Sequence, residues 1–214
     1  MRFRIGPIPD DPDFDPAGDG WTRLREPRPS GLLLIAIPLG VLMAGVLALV
    51  WSLIIPSGAS SDSISVTISV AGLLVAVAAL TGFIALHEIL HALPAMIAGS
   101  SDDVVVGFWP RYLTPYMAYT GVLSRQAQLI SGVTPFVALT LLPFVVALAL
   151  PAAAWWMVGL SVLNALGSAA DLIMLVILMY QVPRTAVIRS QGVATWWRPA
   201  DGESPPSDTP SVIV

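Results

Sequence analysis

The chain of 214 residues has no cysteine and, among its ten basic residues, no lysine. Without cysteine, disulfides and thiolate metal ligands are excluded, and the redox state of the compartment leaves no trace in the sequence. Charge of either sign is scarce. Only 11% of residues are Asp, Glu, Lys or Arg, less than half of the ~25% typical of a soluble domain. Much of the net charge of −4 comes from an acidic cluster at Asp10, Asp11, Asp13, Asp15 and Asp19, and a nucleic-acid partner is not indicated. Histidine occurs twice and glutamate three times. Two histidines are too few for a di-iron membrane hydroxylase. No internal repeat and no His-rich loop is present, which argues against a metal transporter.

What the chain has in quantity is apolar sequence, 56% of it, in long unbroken runs that a soluble core does not need. Four runs stand out: Gly31 to Ile55, Ile64 to Ala98, Ile130 to Leu150 and Ala152 to Tyr180. A membrane-crossing helix needs about 20 residues, so the second run is longer than one span requires. Pro151 and its small neighbours leave only a tight turn between the third and fourth. The arginines flank alternate ends: Arg2, Arg4, Arg23, Arg25 and Arg28 precede the first run, Arg111 and Arg125 follow the second, and Arg184, Arg189 and Arg198 follow the fourth. Four spans put all of them on one side, which the distribution of basic residues makes cytoplasmic, with both termini inside.

The expectation is therefore an all-α integral membrane fold of four transmembrane helices. Between helices two and three, Val104 to Gly121 is rich in Val and aromatics and broken by Pro110 and Pro115. It reads as a short β-like connector at the interface, an aromatic belt or a strand edge open to a substrate. Residues 1–30 read as a loosely ordered cytoplasmic tail with no apolar signal segment, 31–181 as the membrane domain, and 182–214 as a partly disordered cytoplasmic tail. Trp196 and Trp197 beside Arg198 read as interfacial anchors.

The chemistry gathers in His87-Glu88-Ile89-Leu90-His91, which contains both histidines of the chain. Residues four apart share one helix face, so both imidazoles reach one metal ion. Glu88 is placed to accept a proton from water activated by that metal. A carboxylate and two imidazoles inside an apolar helix cost a few kcal/mol, roughly 2.5–3.5 for the acid alone, unless a partner compensates. A catalytic zinc takes three protein ligands and one open position. Asp171 is the one carboxylate in any other apolar run, and counting along antiparallel spans puts it at a depth comparable with that of His87. Ser161, Asn164, Ser168 and Asp171 follow at spacings that share one helix face. Asn164 is a candidate contact for a substrate carbonyl or a developing oxyanion, and Ser161 and Ser168 read as packing residues. Pro94, soon after His91, is expected to bend its helix and open a water path, the alternative being a helix end. Zinc is favoured over other divalent ions by a nitrogen and oxygen donor set of this kind.

HEILHALPA together with Asn164 and Asp171 resembles the site-2 protease class of intramembrane metalloproteases. The closer resemblance is to a family of small bacterial and archaeal membrane proteins called putative zincin peptidases. Its features are an HExxH helix, an aromatic strand-like connector (Val104–Gly121 here), a third helix bearing a proline (Pro135) and a late element similar to Gly167-Ser168-Ala169-Ala170-Asp171. The resemblance covers about Gly82 to Tyr180. It implies zinc held by His87, His91 and Asp171, Glu88 as general base, a prokaryotic cell-membrane location and a membrane protein or peptide as substrate. The chain departs from site-2 proteases at Ala170-Asp171-Leu172, where they show Leu-Asp-Gly, and it lacks their proline after Asn164. The alternative is a non-catalytic membrane scaffold or chaperone whose metal site is structural or degenerate.

Overall fold

The computed structural model describes residues 1–54, 69–111 and 114–200. The arginine-free loop 56–63, the start of the second apolar run and the end of the C-terminal tail lie outside the described residues. Two short strands, β1 (Arg2–Ile5) and β2 (Thr22–Arg23), precede helix α1 (Pro29–Ile54) and helix α2 (Val70–Ala98). The connector follows as β3 (Val104–Trp109), β4 (Thr114–Tyr119) and β5 (Val122–Ser124). Helix α3 (Arg125–Phe136) runs through a π-helical turn, Val137–Leu141, into α4 (Leu142–Ala149). Helices α5 (Ala154–Gly167) and α6 (Ala169–Gln181) and strands β6 (Ala186–Gln191) and β7 (Ala194–Pro199) complete the described elements.

Among the described residues, three helical stretches are long and apolar enough to cross a membrane: α1, α2 and the continuous α3–α4 unit, with mean hydropathies of 2.7, 2.2 and 2.1. The expected fourth span is the broken pair α5–α6, bent by 49°. The break falls at Gly167–Ser168, a residue pair at which helices kink. Pro94, by contrast, does not end α2, which continues to Ala98. From Val70 to Leu80 every residue of α2 is exposed, so an apolar surround suits this helix far better than water.

The all-α expectation is overturned by two sheets. In one, β1 lies parallel to β3 and β4 pairs antiparallel on the other side of β3. In the other, the order is β2-β7-β6-β5 with antiparallel pairs throughout. The first 30 residues, expected to be a loose tail, supply one strand to each sheet. The C-terminal segment to Pro199 forms a hairpin. Trp197 is accordingly no interfacial anchor: it is buried with Leu24, Leu178, Val182 and Ile188. Trp196 packs edge-on against Phe14 at 5.7 Å, and the Arg198 guanidinium lies 4.8 Å from the Trp21 ring centroid.

These sheets gather at the helix ends that adjoin them, namely the start of α1, the end of α2, the start of α3 and the end of α6. All ten arginines belong to this end of the chain's path. The segment before α1 is fastened twice. Gln181 accepts the Arg25 N–H and donates to the Arg25 carbonyl, both at 2.9 Å. Glu26 accepts the Thr195 N–H at 2.8 Å and its hydroxyl at 3.3 Å. At the helix level, α1 sits against α5, where Gly40 leaves room for the Leu166 carbonyl. A Cβ at Gly40 would stand 2.6 Å from that oxygen.

Burial pushes the Glu26 carboxyl above the ordinary glutamate range, against the pull of its Thr195 bonds and of Arg23. An acid whose folded-state pKa is raised costs stability once it ionises. That cost is relieved as pH falls through the raised pKa towards the unfolded value. Relative to Glu26→Gln, the wild-type protein should therefore gain thermal stability on acidification from neutral pH towards the ordinary glutamate range. A difference in midpoint that stays constant across that window would contradict the assignment.

Candidate metal centre

His87 and His91 stand one turn apart on α2, their ring centroids 5.0 Å from each other. Asp171 enters from the first turn of α6, where the positive end of the helix suits a carboxylate. Its Oδ2 lies 3.2 Å from His87 Nε2 and 3.5 Å from His91 Nε2. The three residues form a group whose ligand atoms all lie within 4.8 Å of one another. The depth match counted on the sequence thus becomes a contact between two helices.

The other ring nitrogens decide what this cluster can hold. His87 Nδ1 is 2.9 Å from Asn164 Oδ1. The Asn164 nitrogen faces the Pro135 carbonyl at 3.0 Å and Thr140 Oγ1 at 2.8 Å. A carbonyl only accepts, so that side of the amide is the donor and the oxygen is left for His87. His87 Nδ1 must then carry the proton. His91 Nδ1 likewise donates to the Ser131 carbonyl at 2.9 Å, and the Ser131 hydroxyl donates back to the His91 carbonyl. With both Nδ1 atoms protonated, both neutral rings present Nε2 as a lone pair. Two such lone pairs and a carboxylate oxygen converge with no donor among them. A divalent cation satisfies all three, and ring nitrogens anchored to oxygen acceptors are the usual outer support of a histidine–metal bond.

Local sequence explains both anchors. Pro135 has no N–H, so the carbonyl four residues earlier in α3, that of Ser131, has no intrahelical donor at that position. That carbonyl is the one that holds His91. The π-helical turn just beyond leaves further backbone groups for side chains of α5. Ser161 donates to the Thr140 carbonyl at 2.8 Å, and Asn164 takes the Pro135 carbonyl. Ser168 Oγ lies 3.2 Å from the Asn164 nitrogen. The stripe expected on one face of the fourth run is therefore buried and committed. Ser161, Asn164 and Ser168 are each at most 1% exposed. Asn164, expected at a substrate carbonyl, faces His87 with its oxygen and α3 with its nitrogen.

Glu88 borders a cavity of about 270 Å³ together with His91 and Asp171. Its carboxylate lies near the backbone N–H of Met117 in β4. Pro115 shows how β4 is turned. A proline fits only where no ladder bond is lost, so Pro115, and Met117 two residues on, point their backbone groups away from β3. The outer edge of β4 thus faces the cluster of His91, Glu88 and Asp171. Sequence reasoning singled out the strand and missed Met117, Ser131 and Thr140. Only Ser131 had a local signal, the proline four residues after it.

The family described as Putative zincin peptidase matches residues 80–187, half of the chain, and the chain belongs to that family. The matched stretch contains His87, Glu88, His91, Asn164 and Asp171. No curated protein and no solved structure matches the chain.

Asn164→Leu removes the acceptor of His87 Nδ1, and zinc affinity should fall about 10–100-fold, as for other lost second-layer partners. Pro135→Ala restores a competing N–H to the Ser131 carbonyl and should weaken zinc in the same direction by less. Competition titration with a chromophoric chelator measures both. Unchanged affinity in Asn164→Leu would refute the anchoring role.

Proposed function

We propose that the protein is a zinc-dependent membrane peptidase that hydrolyses peptide bonds of membrane or membrane-proximal proteins. The observation that carries this reading is the convergence of His87 Nε2, His91 Nε2 and Asp171 Oδ2 beside Glu88. Both imidazoles are held by oxygen acceptors in the tautomer that leaves Nε2 free. His87, His91 and Asp171 would hold the metal. When bound, zinc supplies a Lewis acid that polarises the scissile carbonyl and renders water acidic. Glu88, steadied by the Met117 N–H, takes the proton of the attacking water and returns it to the leaving amine nitrogen. Asn164 and Ser131 fix the orientation of the two rings.

Two surroundings favour a substrate at the membrane. On one side, Leu80, Phe83, Ile84 and Leu163 border an apolar cavity of about 290 Å³ that adjoins His87 and Glu88. On the other, the cavity shared by Glu88, His91 and Asp171 faces the sheets. The site lies between an apolar approach and one walled by strands, as suits a bond close to a bilayer surface. With the arginines on the cytoplasmic side, the sheets and both termini face the cytoplasm of a prokaryotic cell. A ligand set drawn from two helices, as α2 and α6 supply it, supports a protease of the site-2 type.

Glu88→Gln is the direct test, because it removes the proton acceptor and leaves the three ligands in place. Zinc content should be unchanged and hydrolysis of a membrane-protein substrate should fall at least ~100-fold. Wild-type activity in Glu88→Gln would reject the peptidase reading in favour of a structural metal site in a membrane scaffold.

A further inference from the structure

A second cavity opens beyond the first. It measures about 250 Å³ and lies between the edge of β4 and the β6–β7 turn around Val193. Met117, Gln128, Ser131 and Thr195 line both cavities. The two cavities therefore adjoin, leading from His91 and Asp171 outward between the sheets. An extended chain needs only one residue's width at a time, and the two adjoining cavities follow the edge of β4.

The polar groups where the cavities meet are nearly all committed. The Ser131 hydroxyl donates to His91 and the Thr195 hydroxyl to Glu26. The Met117 N–H lies near Glu88. Asn164, the other amide near the site, is saturated. Gln128 is the exception: it is half-buried, and among the described residues its amide has no hydrogen-bond partner. A side-chain amide carries a donor and an acceptor, the same pair that a peptide group presents, so it reads main chain whatever the side chains are.

We propose that the passage between the sheets binds an extended segment of the substrate polypeptide, and that Gln128 anchors that segment through its backbone. The proposal rests on the peptidase reading for its physiological ligand and identifies where the substrate chain lies. Met117 and the β6–β7 turn form the walls, and Gln128 sits at the junction. Selection then comes from extended conformation on the sheet side of the scissile bond rather than from one side chain.

Photocross-linking separates this idea from catalysis. Zinc-loaded Glu88→Gln protein carrying benzoylphenylalanine in place of Val193 is irradiated with fluorescein-labelled casein, an unstructured chain, as the probe. The same photoprobe in place of Leu33, on the exposed face of α1, serves as control. Labelling is expected at position 193 and not at 33. Adding Gln128→Met should reduce it about five-fold, the loss of one neutral hydrogen bond, at unchanged zinc content and thermal midpoint. Labelling at 193 that Gln128→Met leaves untouched overturns the anchoring role. Absence of labelling at 193 overturns the passage, whether or not wild-type protein cleaves casein. Gln128-dependent labelling without wild-type cleavage supports the passage and counts against the peptidase reading alone.

Discussion

Two imidazole nitrogens and a carboxylate oxygen that converge in an apolar bundle are the constraint on which this structure turns. His87, His91 and Asp171 come together from α2 and α6. The Asn164 oxygen and the Ser131 carbonyl take the Nδ1 protons. Remove either acceptor and a ring is free to turn its N–H towards Asp171 and satisfy the carboxylate without a metal. The outer partners therefore determine whether the cluster is a metal site or an ordinary hydrogen-bonded network. That explains why polar residues are concentrated where α2, α3, α5 and α6 meet and are rare elsewhere in the apolar runs.

The fold serves that constraint through irregularities. Pro135 frees one carbonyl, and the π-helical turn after it offers Thr140 and further backbone to α5. The break at Ser168 starts a new helix whose first turn carries Asp171. Regular helices in these places would satisfy their own backbone groups and leave nothing for Asn164 or His91 to bond. The sheets hold the opposite face: β4 places Met117 beside Glu88, and β7 with the segment before α1 closes the outer wall at Leu24 and Thr195.

The sequence made much of the centre legible because its chemistry is carried by rare residues. The two histidines four apart, the nearby glutamate and a lone aspartate in a distant apolar run admit few other readings. The β-like connector was visible from its Val and aromatic content. Asn164 was harder. Its spacing placed it on the correct face, but which neighbours would consume its amide depended on a π-helical turn that no local residue pattern announces. The strands near the N-terminus were invisible for a different reason. β1 has four residues and β2 has two, too short for a period, and they owe their form to β3 and β7. Trp196 and Trp197 beside an arginine carry the composition of an interfacial belt. Only the pairing of β6 with β7 assigns Trp197 to a buried face.

The central claim is a metal centre built across two helices, and zinc binding to the purified protein tests it most directly. Wild-type protein should bind one zinc ion per chain. His91→Ala and Asp171→Ala should each lose most of that affinity, although they alter different helices. Full stoichiometry and affinity in Asp171→Ala, with loss in His91→Ala, would contradict the account by confining the metal to α2.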